Sequence, residues 1–194
     1  TGVKNLVASR LPLDYAIFGE PSGIHNITIA YKGRVSIRLT CDVGNSAHAS
    51  APWLSKNSIE EIYDFWTEIK SEVARISADE NKTKTISCSL TEIVGGSSHN
   101  VTPQKSSMTL DIRIPVTIKS QYILSVIDQI IANVATKKGV RATYRIQDQT
   151  EPFEASYTST LVRAMSLSII DVRKIRPTLL RKTGTGDMNI LGNA

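Results

Sequence analysis

Glu20 stands in Gly19-Glu20-Pro21-Ser22, directly after the apolar run Tyr15 to Phe18. The run is short and bounded by turn residues, which predicts a buried strand. Gly19 admits backbone angles closed to other residues, and Pro21 stops the strand. Glu20 is then expected at the carboxyl end of a strand, where open α/β sheets bind ligands, as a hard oxygen donor for a metal. A solvated loop glutamate is the plain alternative. A second glycine-bearing loop, Thr183-Gly184-Thr185-Gly186-Asp187, follows a short strand predicted over Pro177 to Leu180. It is not a phosphate-binding loop, because no Gly-Lys-Ser/Thr follows and the spacing is wrong. Arg113 lies on the polar face of an alternating segment. Its guanidinium is able either to grip a carboxylate in two parallel bonds or to pair with Asp111 or a neighbouring strand. His48 sits in a loop after a strand, not on an apolar face, and Asn100 lies in a turn beside Pro103, a common place for Asn.

The elements that must position these residues follow from periodicity. Val3, Leu6 and Val7 share a face, so Thr1 to Arg10 reads as the tail of a helix that begins upstream. Asn26 to Ala30 is extended and Lys32-Gly33 is read as its turn. Arg34 to Val43 alternates cleanly, with Val35, Ile37, Leu39, Cys41 and Val43 on one face. Asn57 to Ile76 has helical spacing, with Asn57 and Glu60 resembling a capping box. Ala78 to Lys84 is a polar turn. Thr85 to Glu92 and Ser107 to Val116 alternate. Ser120 to Lys138 is helical, with Ser120 as its cap and Gly139 at its end. Val140 to Ile146 is a strand. The order strand, helix, strand, strand, helix, strand is the split βαβ pattern of a ferredoxin-like sandwich. Glu151-Pro152-Phe153 is a link, Thr160 to Ile170 a helix, and Asp187 the cap of a last helix. The predicted class is α/β: a βαββαβ lid over 31–148, inserted between pieces of an α/β domain at 1–30 and 149–194.

Composition narrows the function classes. The chain has 194 residues, 41% of them apolar, so one large domain or two small ones can build a core. No apolar run approaches a membrane span, and no signal peptide is seen. Cys41 and Cys88 lie in alternating segments and are expected to be buried thiols, which suits the reducing cytoplasm; their spacing makes no zinc site. The net charge of +5 comes from scattered basic residues, with aromatics only 6%, so nucleic-acid binding is disfavoured. An acidic partner or simple solubility explains the charge.

Eight separated motifs agree in order: Gly19-Glu20-Pro21-Ser22, Tyr31-Lys32-Gly33-Arg34, His48-Ala49-Ser50-Ala51-Pro52, Asn57-Ser58-Ile59, Gly95-Gly96, Asn100-Val101-Thr102-Pro103, Asp111-Ile112-Arg113 and Lys182-Thr183-Gly184-Thr185-Gly186-Asp187-Met188-Asn189. Together they resemble the zinc-dependent family of aminoacylases, carboxypeptidases and succinyl-diaminopimelate desuccinylase. The last motif looks most like the branch that hydrolyses lysine or ornithine from an amino-group carrier protein, also described as acetyl-lysine deacetylase, in lysine and arginine biosynthesis. The resemblance implies amide hydrolysis at two zinc ions, with cobalt as a substitute, in a catalytic domain whose lid makes a homodimer. It implies that Glu20 ligates one zinc and that His48 reaches into the partner subunit to stabilise the oxyanion. It further implies that Asn100, Arg113, Gly184, Thr185 and Gly186 contact the substrate, a small amino-acid conjugate. An acidic carrier protein is the implied macromolecular partner; no membrane or nucleic acid is expected. The family's His-x-Asp motif and paired catalytic glutamates are absent here, since Glu60-Glu61 falls inside a helix. The chain therefore reads as a middle fragment, expected to be inactive alone and to bind zinc weakly or not at all. A non-catalytic ferredoxin-like dimerisation or regulatory module is the alternative.

Overall fold

The computed structural model describes residues 2–10, 12–77 and 81–194; Thr1 and the part of the expected polar turn at 78–80 lie outside the described residues. Helix α1 (Gly2–Ala8) is followed by strand β1 (Asn26–Tyr31) and strand β2 (Gly33–Asp42). Then come a short 3-10 turn (Pro52–Leu54), helix α2 (Ser58–Ile76), strands β3 (Ser87–Gly95) and β4 (Lys105–Ile114), helix α3 (Ser120–Lys138) and strand β5 (Arg141–Thr150). Strand β6 (Phe153–Glu154), helix α4 (Thr160–Arg173), strand β7 (Thr178–Lys182) and helix α5 (Asp187–Gly192) complete the order.

The larger sheet has the order β3-β4-β2-β5 and is antiparallel throughout. Strict alternation in β2 and β4 sends Val35, Ile37, Leu39, Cys41, Met108, Leu110 and Ile112 to one face. There they meet Ile62, Phe65 and Ile69 of α2 and Ile123 and Ile127 of α3, all essentially solvent-free. This is the ferredoxin-like sandwich that the periodicity predicts. Asn57 Oδ1 accepts from the Ile59 N–H at 3.0 Å at the start of α2, while its Nδ2 donates to Glu60 Oε1, a side-chain variant of the expected box. Gly139 ends α3 at φ 61°, the left-handed cap that glycine tolerates. Ser120 is not the cap of α3, contrary to expectation: it is the first helical residue. Glu151, across from the helix start, accepts from its N–H at 3.2 Å and from its hydroxyl instead.

The other face of this sheet is laced with ion pairs. Arg34 bridges Asp111 at 2.7 Å and Asp148 at 3.1 Å, Arg38 pairs with Glu92 at 2.9 Å, and Asp42 takes Lys105 and Arg141 at 3.3 and 3.2 Å.

The smaller sheet, β6-β1-β7, lies at one end of the larger one. Lys32-Gly33 is a passage from one sheet to the other, because β1 and β2 share no ladder and the chain does not turn back on itself. The return passage, Glu151-Pro152, runs beside it: a Cβ on Gly33 would lie 2.6 Å from both Pro152 N and Thr150 O. Phe153, expected in a link, is a strand residue paired with Tyr31. The strand expected over Tyr15 to Phe18 does not form. No described strand pairs with it, and a strand without a ladder leaves its backbone groups to water; Tyr15 and Ile17 are 60% and 65% exposed. Cys41 and Cys88 are free thiols, and burial pushes them up to about 11 and about 12.

Candidate functional site

β1 and β7 are parallel, so their carboxyl ends, Tyr31 and Lys182, point the same way and lie side by side. Beyond these ends the chain places the Gly184–Gly186 loop and Glu20 together. Lys182 Nζ is 3.9 Å from Glu20 Oε2, and a Cβ on Gly186 would sit 3.6 Å from Glu20 Oε1. Glu20 is thus at strand ends, but at those of β1 and β7 rather than of a strand of its own. A local turn holds it: the Ser22 N–H donates to Glu20 O at 2.7 Å, the Ser22 hydroxyl meets Thr28 Oγ1 at 2.7 Å, and Asn26 Nδ2 donates to Ser22 O at 2.6 Å. An apolar cavity of about 820 Å³ opens beside it, lined among others by Phe18, Glu20, Tyr31, Phe153, Met165 and Met188.

The larger sheet reaches the same place through Arg113. Its Nη1 donates to Thr185 Oγ1 at 3.0 Å, and that hydroxyl donates to Lys32 O at 2.8 Å. Its Nε and Nη2 bind Asp111 at 2.6 and 3.3 Å, so the pairing alternative is the one observed. Burial works against the Asp111 charge, but Arg113 and Arg34 outweigh it and hold the carboxyl below the usual carboxylate range. Arg113 is therefore oriented by a carboxylate that Arg34 fixes in turn. Of the loop residues, Gly184 is open: a Cβ placed there would meet no atom within 4 Å. The Gly186 N–H is already taken by Asn189 Oδ1 at 3.0 Å.

Asn189 is the residue that pattern reading passed over. It is 1% exposed. Its Nδ2 donates to Lys32 O at 3.1 Å and to Glu151 O at 2.8 Å, so it clasps both passages between the sheets while its Oδ1 holds the loop. Asn189 also replaces Asp187 as the capping group: Gly186 is the N-cap of α5 and Asp187 is the first helical residue. The sequence signal was its place at the end of the Lys182–Asn189 motif. Lys32, 3% exposed, donates from Nζ to Thr85 O at 2.5 Å, and burial lowers its pKa.

His48 and Asn100 are brought together, but elsewhere. His48 bridges Val101, and the Ala49 N–H donates to Asn100 O at 2.8 Å. His48 follows the far end of β2, whose near end carries Arg34 of the Arg113 cluster, and Asn100 follows the far end of β3, whose near end pairs with Arg113. β2 has ten residues, so about 30 Å of strand separates the two groups, and within one chain His48 does not reach Glu20. His48 Nδ1 accepts from the Ser50 N–H at 3.2 Å and meets the Ser50 hydroxyl at 2.8 Å. The neutral ring then carries its proton on Nε2, leaving an exposed side chain with one outward donor. Asn100 Oδ1 accepts from Ser98 Oγ at 2.6 Å. Among the described residues, no three His, Cys, Asp or Glu side chains gather as a metal site.

A family model for the peptidase dimerisation domain matches residues 29–139. This chain belongs to the M20 peptidase dimerisation-domain family. Its curated relatives include a [LysW]-lysine/[LysW]-ornithine hydrolase of Saccharolobus solfataricus, 31% identical over 190 residues, covering 98% of this chain and 49% of the relative. Another with the same name, from Sulfurisphaera tokodaii, is 29% identical over 99% of this chain and 50% of its own length. The chain thus spans about half the length of these M20 relatives. Among solved structures, the aminopeptidase PepT of Bacillus cereus superposes with a TM-score of 0.79 at 16% identity, over 99% of this chain and 49% of the other. The M20 family metallo-carboxypeptidase Sso-CP2 of Sulfolobus solfataricus gives 0.66 at 17%, over 88% and 50%. At such identities the likeness is one of fold: the α/β architecture with its M20 lid is shared.

Proposed function

We propose that the full-length protein is a metal-dependent amidohydrolase that releases lysine or ornithine from an amino-group carrier protein, or deacylates N-acetyl-lysine. The observation that carries this reading is the meeting of Glu20 with the Gly184–Gly186 loop beyond the strand ends, where α/β sheets take ligands. The names of relatives that match 98% and 99% of this chain support the substrate class. Glu20 offers one hard oxygen to zinc, or to cobalt in its place; the other ligands and the general base come from outside this chain, so residues 1–194 alone bind zinc weakly and are inactive. The metal, when bound, supplies Lewis-acid activation of water and carbonyl. The work of this chain is positioning. Arg113, whose Nε and Nη2 are held by Asp111, is left to meet the substrate carboxylate through Nη1, beside Thr185, with Gly184 and Gly186 lining the same side. His48 presents its Nε2 proton to the oxyanion in the partner subunit, and Asn100 beside it hydrogen-bonds substrate.

The homodimer forms through the lid. Of the two edges of the larger sheet, β5 carries Arg141 and Arg145, charges that discourage strand addition, beside one exposed apolar residue, Ile146, whereas β3 carries Glu92 but exposes two adjacent apolar residues, Ile93 and Val94, at 44% and 50%. We assign the pairing edge to β3. The net charge of +5 suits an acidic carrier protein.

The test uses the full-length protein with lysine- and ornithine-loaded acidic carrier protein and with N-acetyl-lysine, reading free amino acid by mass spectrometry. Release that stops on chelation and returns with zinc or cobalt is the expected result. No release from any of them with metal present overturns the reading. A non-catalytic dimerisation module is the second reading, favoured by the absence among the described residues of three His, Cys, Asp or Glu side chains gathered as a metal site; turnover by the full-length protein removes it.

A further inference from the structure

Helices α2 and α3 cover one face of the larger sheet. The other face carries almost nothing that seeks apolar cover. Side chains of paired residues point the same way, so Ser36 stands beside Asp111, Arg38 beside Thr109 and Arg145, and Thr40 beside Ser107 and Thr143. Among the described residues of this face, Val94, opposite Ser107, is the one apolar side chain. Charge is unevenly matched along it. At the near end Arg34 and Arg113 are balanced by Asp111 and Asp148, and in the middle Arg38 is balanced by Glu92. Further on, Lys105 and Arg141 share the single carboxylate of Asp42, and Arg145 makes no ion pair with any described residue. The side chains of Lys105 and Arg141 are 65% and 76% exposed, and Arg145 is exposed too, so the surplus positive charge stands in water.

We propose that this face, around Arg141, Arg145 and Lys105, is the docking surface for the acidic carrier protein, whose carboxylates take the unmatched cations. The inference rests on the carrier conjugate being the substrate, as proposed above. Charge complementarity selects the occupant. A polar face with surplus positive charge gains little from an apolar partner, and a second copy of this chain, itself at +5, brings charge of the same sign. Position agrees. Arg145 lies on the rung of Arg38, and Arg113 lies on the rung of Arg34, four residues along β2 and about 13 Å away. A carrier seated on the surplus therefore has Arg113 and Thr185 within the span of a short extended segment. Such a surface acts on encounter and holding, so it is read in Kd and KM rather than in the chemical step.

The test uses the full-length protein and fluorescently labelled, lysine-loaded acidic carrier protein, reading Kd by anisotropy and KM and kcat by released lysine. The double variant Arg141→Glu/Arg145→Glu is expected to raise Kd and KM about tenfold, with kcat at saturating carrier and the oligomeric state in light scattering unchanged. The control Arg173→Glu/Arg176→Glu makes the same change in net charge before the amino end of β7, away from the cleft, and is expected to stay within about twofold of wild type. Arg145→Ala breaks no ion pair and is expected to weaken binding about threefold, which decides the matter if the double variant does not fold. Wild-type Kd in a folded double variant, or in Arg145→Ala when only that one folds, overturns the docking surface. An equal loss in the control overturns it too, since net charge alone is then the cause. A fall in kcat with Kd unchanged also overturns it, as does a double variant that falls to monomers, which assigns the face to a second copy. Wild-type protein that neither binds the loaded carrier nor releases lysine from it overturns the proposed function, and this inference with it; release that the double variant leaves intact overturns the docking surface alone.

Discussion

At the scale of single residues, two side chains organise the cleft without being the obvious reactive ones. Asn189 satisfies two passage carbonyls and one loop N–H from a site that is 1% exposed. Asn189→Ala leaves those groups buried and unpaired, and a loss of about 3 kcal/mol is expected in denaturant melting, from the ~1–3 kcal/mol typical of each such group. Asp111 carries a testable pH signature. Its folded pKa is depressed, so the stability it lends is present above its unfolded pKa and is lost as pH falls through the folded one. Asp111→Asn is therefore expected to melt lower than wild type at pH 7, with the gap closing below about pH 4. A gap of constant size across that range would mean that packing, not charge, explains the loss.

At the scale of elements, the joint between the sheets is narrow because two backbones cross there with no side chain between them. Gly33→Ala puts a methyl 2.6 Å from Pro152 N and Thr150 O, both main-chain atoms that cannot swing aside. A loss of about 2–4 kcal/mol is expected by the overpacking argument, seen as a lowered melting temperature. By contrast Gly184→Ala, where no atom stands within 4 Å, should leave stability unchanged and report only on substrate contact through KM. The sandwich itself was legible residue by residue: Ile37, Leu39 and Cys41 fall inward in β2 because alternation has only one register that buries them. The stretch Tyr15 to Phe18 was not legible, because an apolar run says that a segment wants cover but not which neighbour supplies its ladder. Ser120 and Asp187 misled for a related reason. Each is a good capping residue by type, but Glu151 and Asn189, one distant in sequence and one just ahead, took the bonds.

At the scale of the whole molecule, two groups of candidate residues lie at opposite ends of the lid sheet, Glu20 with Arg113 and Thr185 at one and His48 with Asn100 at the other. On the function proposed above, a complete site draws on a second copy. Val94→Lys on the exposed edge of β3 is expected to shift the full-length protein from dimer to monomer in light scattering and to abolish turnover without lowering the zinc affinity of each chain. A dimer that survives the change places the interface on another edge. Carrier binding driven by the basic surface should weaken as salt rises toward about 0.5 M, where screening reaches about 4 Å; salt-insensitive binding would point to apolar contact instead.

By itself the sequence determined what nearest-neighbour physics controls: the period of each strand and helix, the inward set of the lid, the glycine end of α3 and the order of motifs that marks the M20 family. Only the tertiary structure decided which loop faces which. Glu20 meets Gly186, Arg113 reaches Thr185, and Asn189 ties both passages, because these contacts join residues far apart in the chain and arise from sheet packing that no local period encodes.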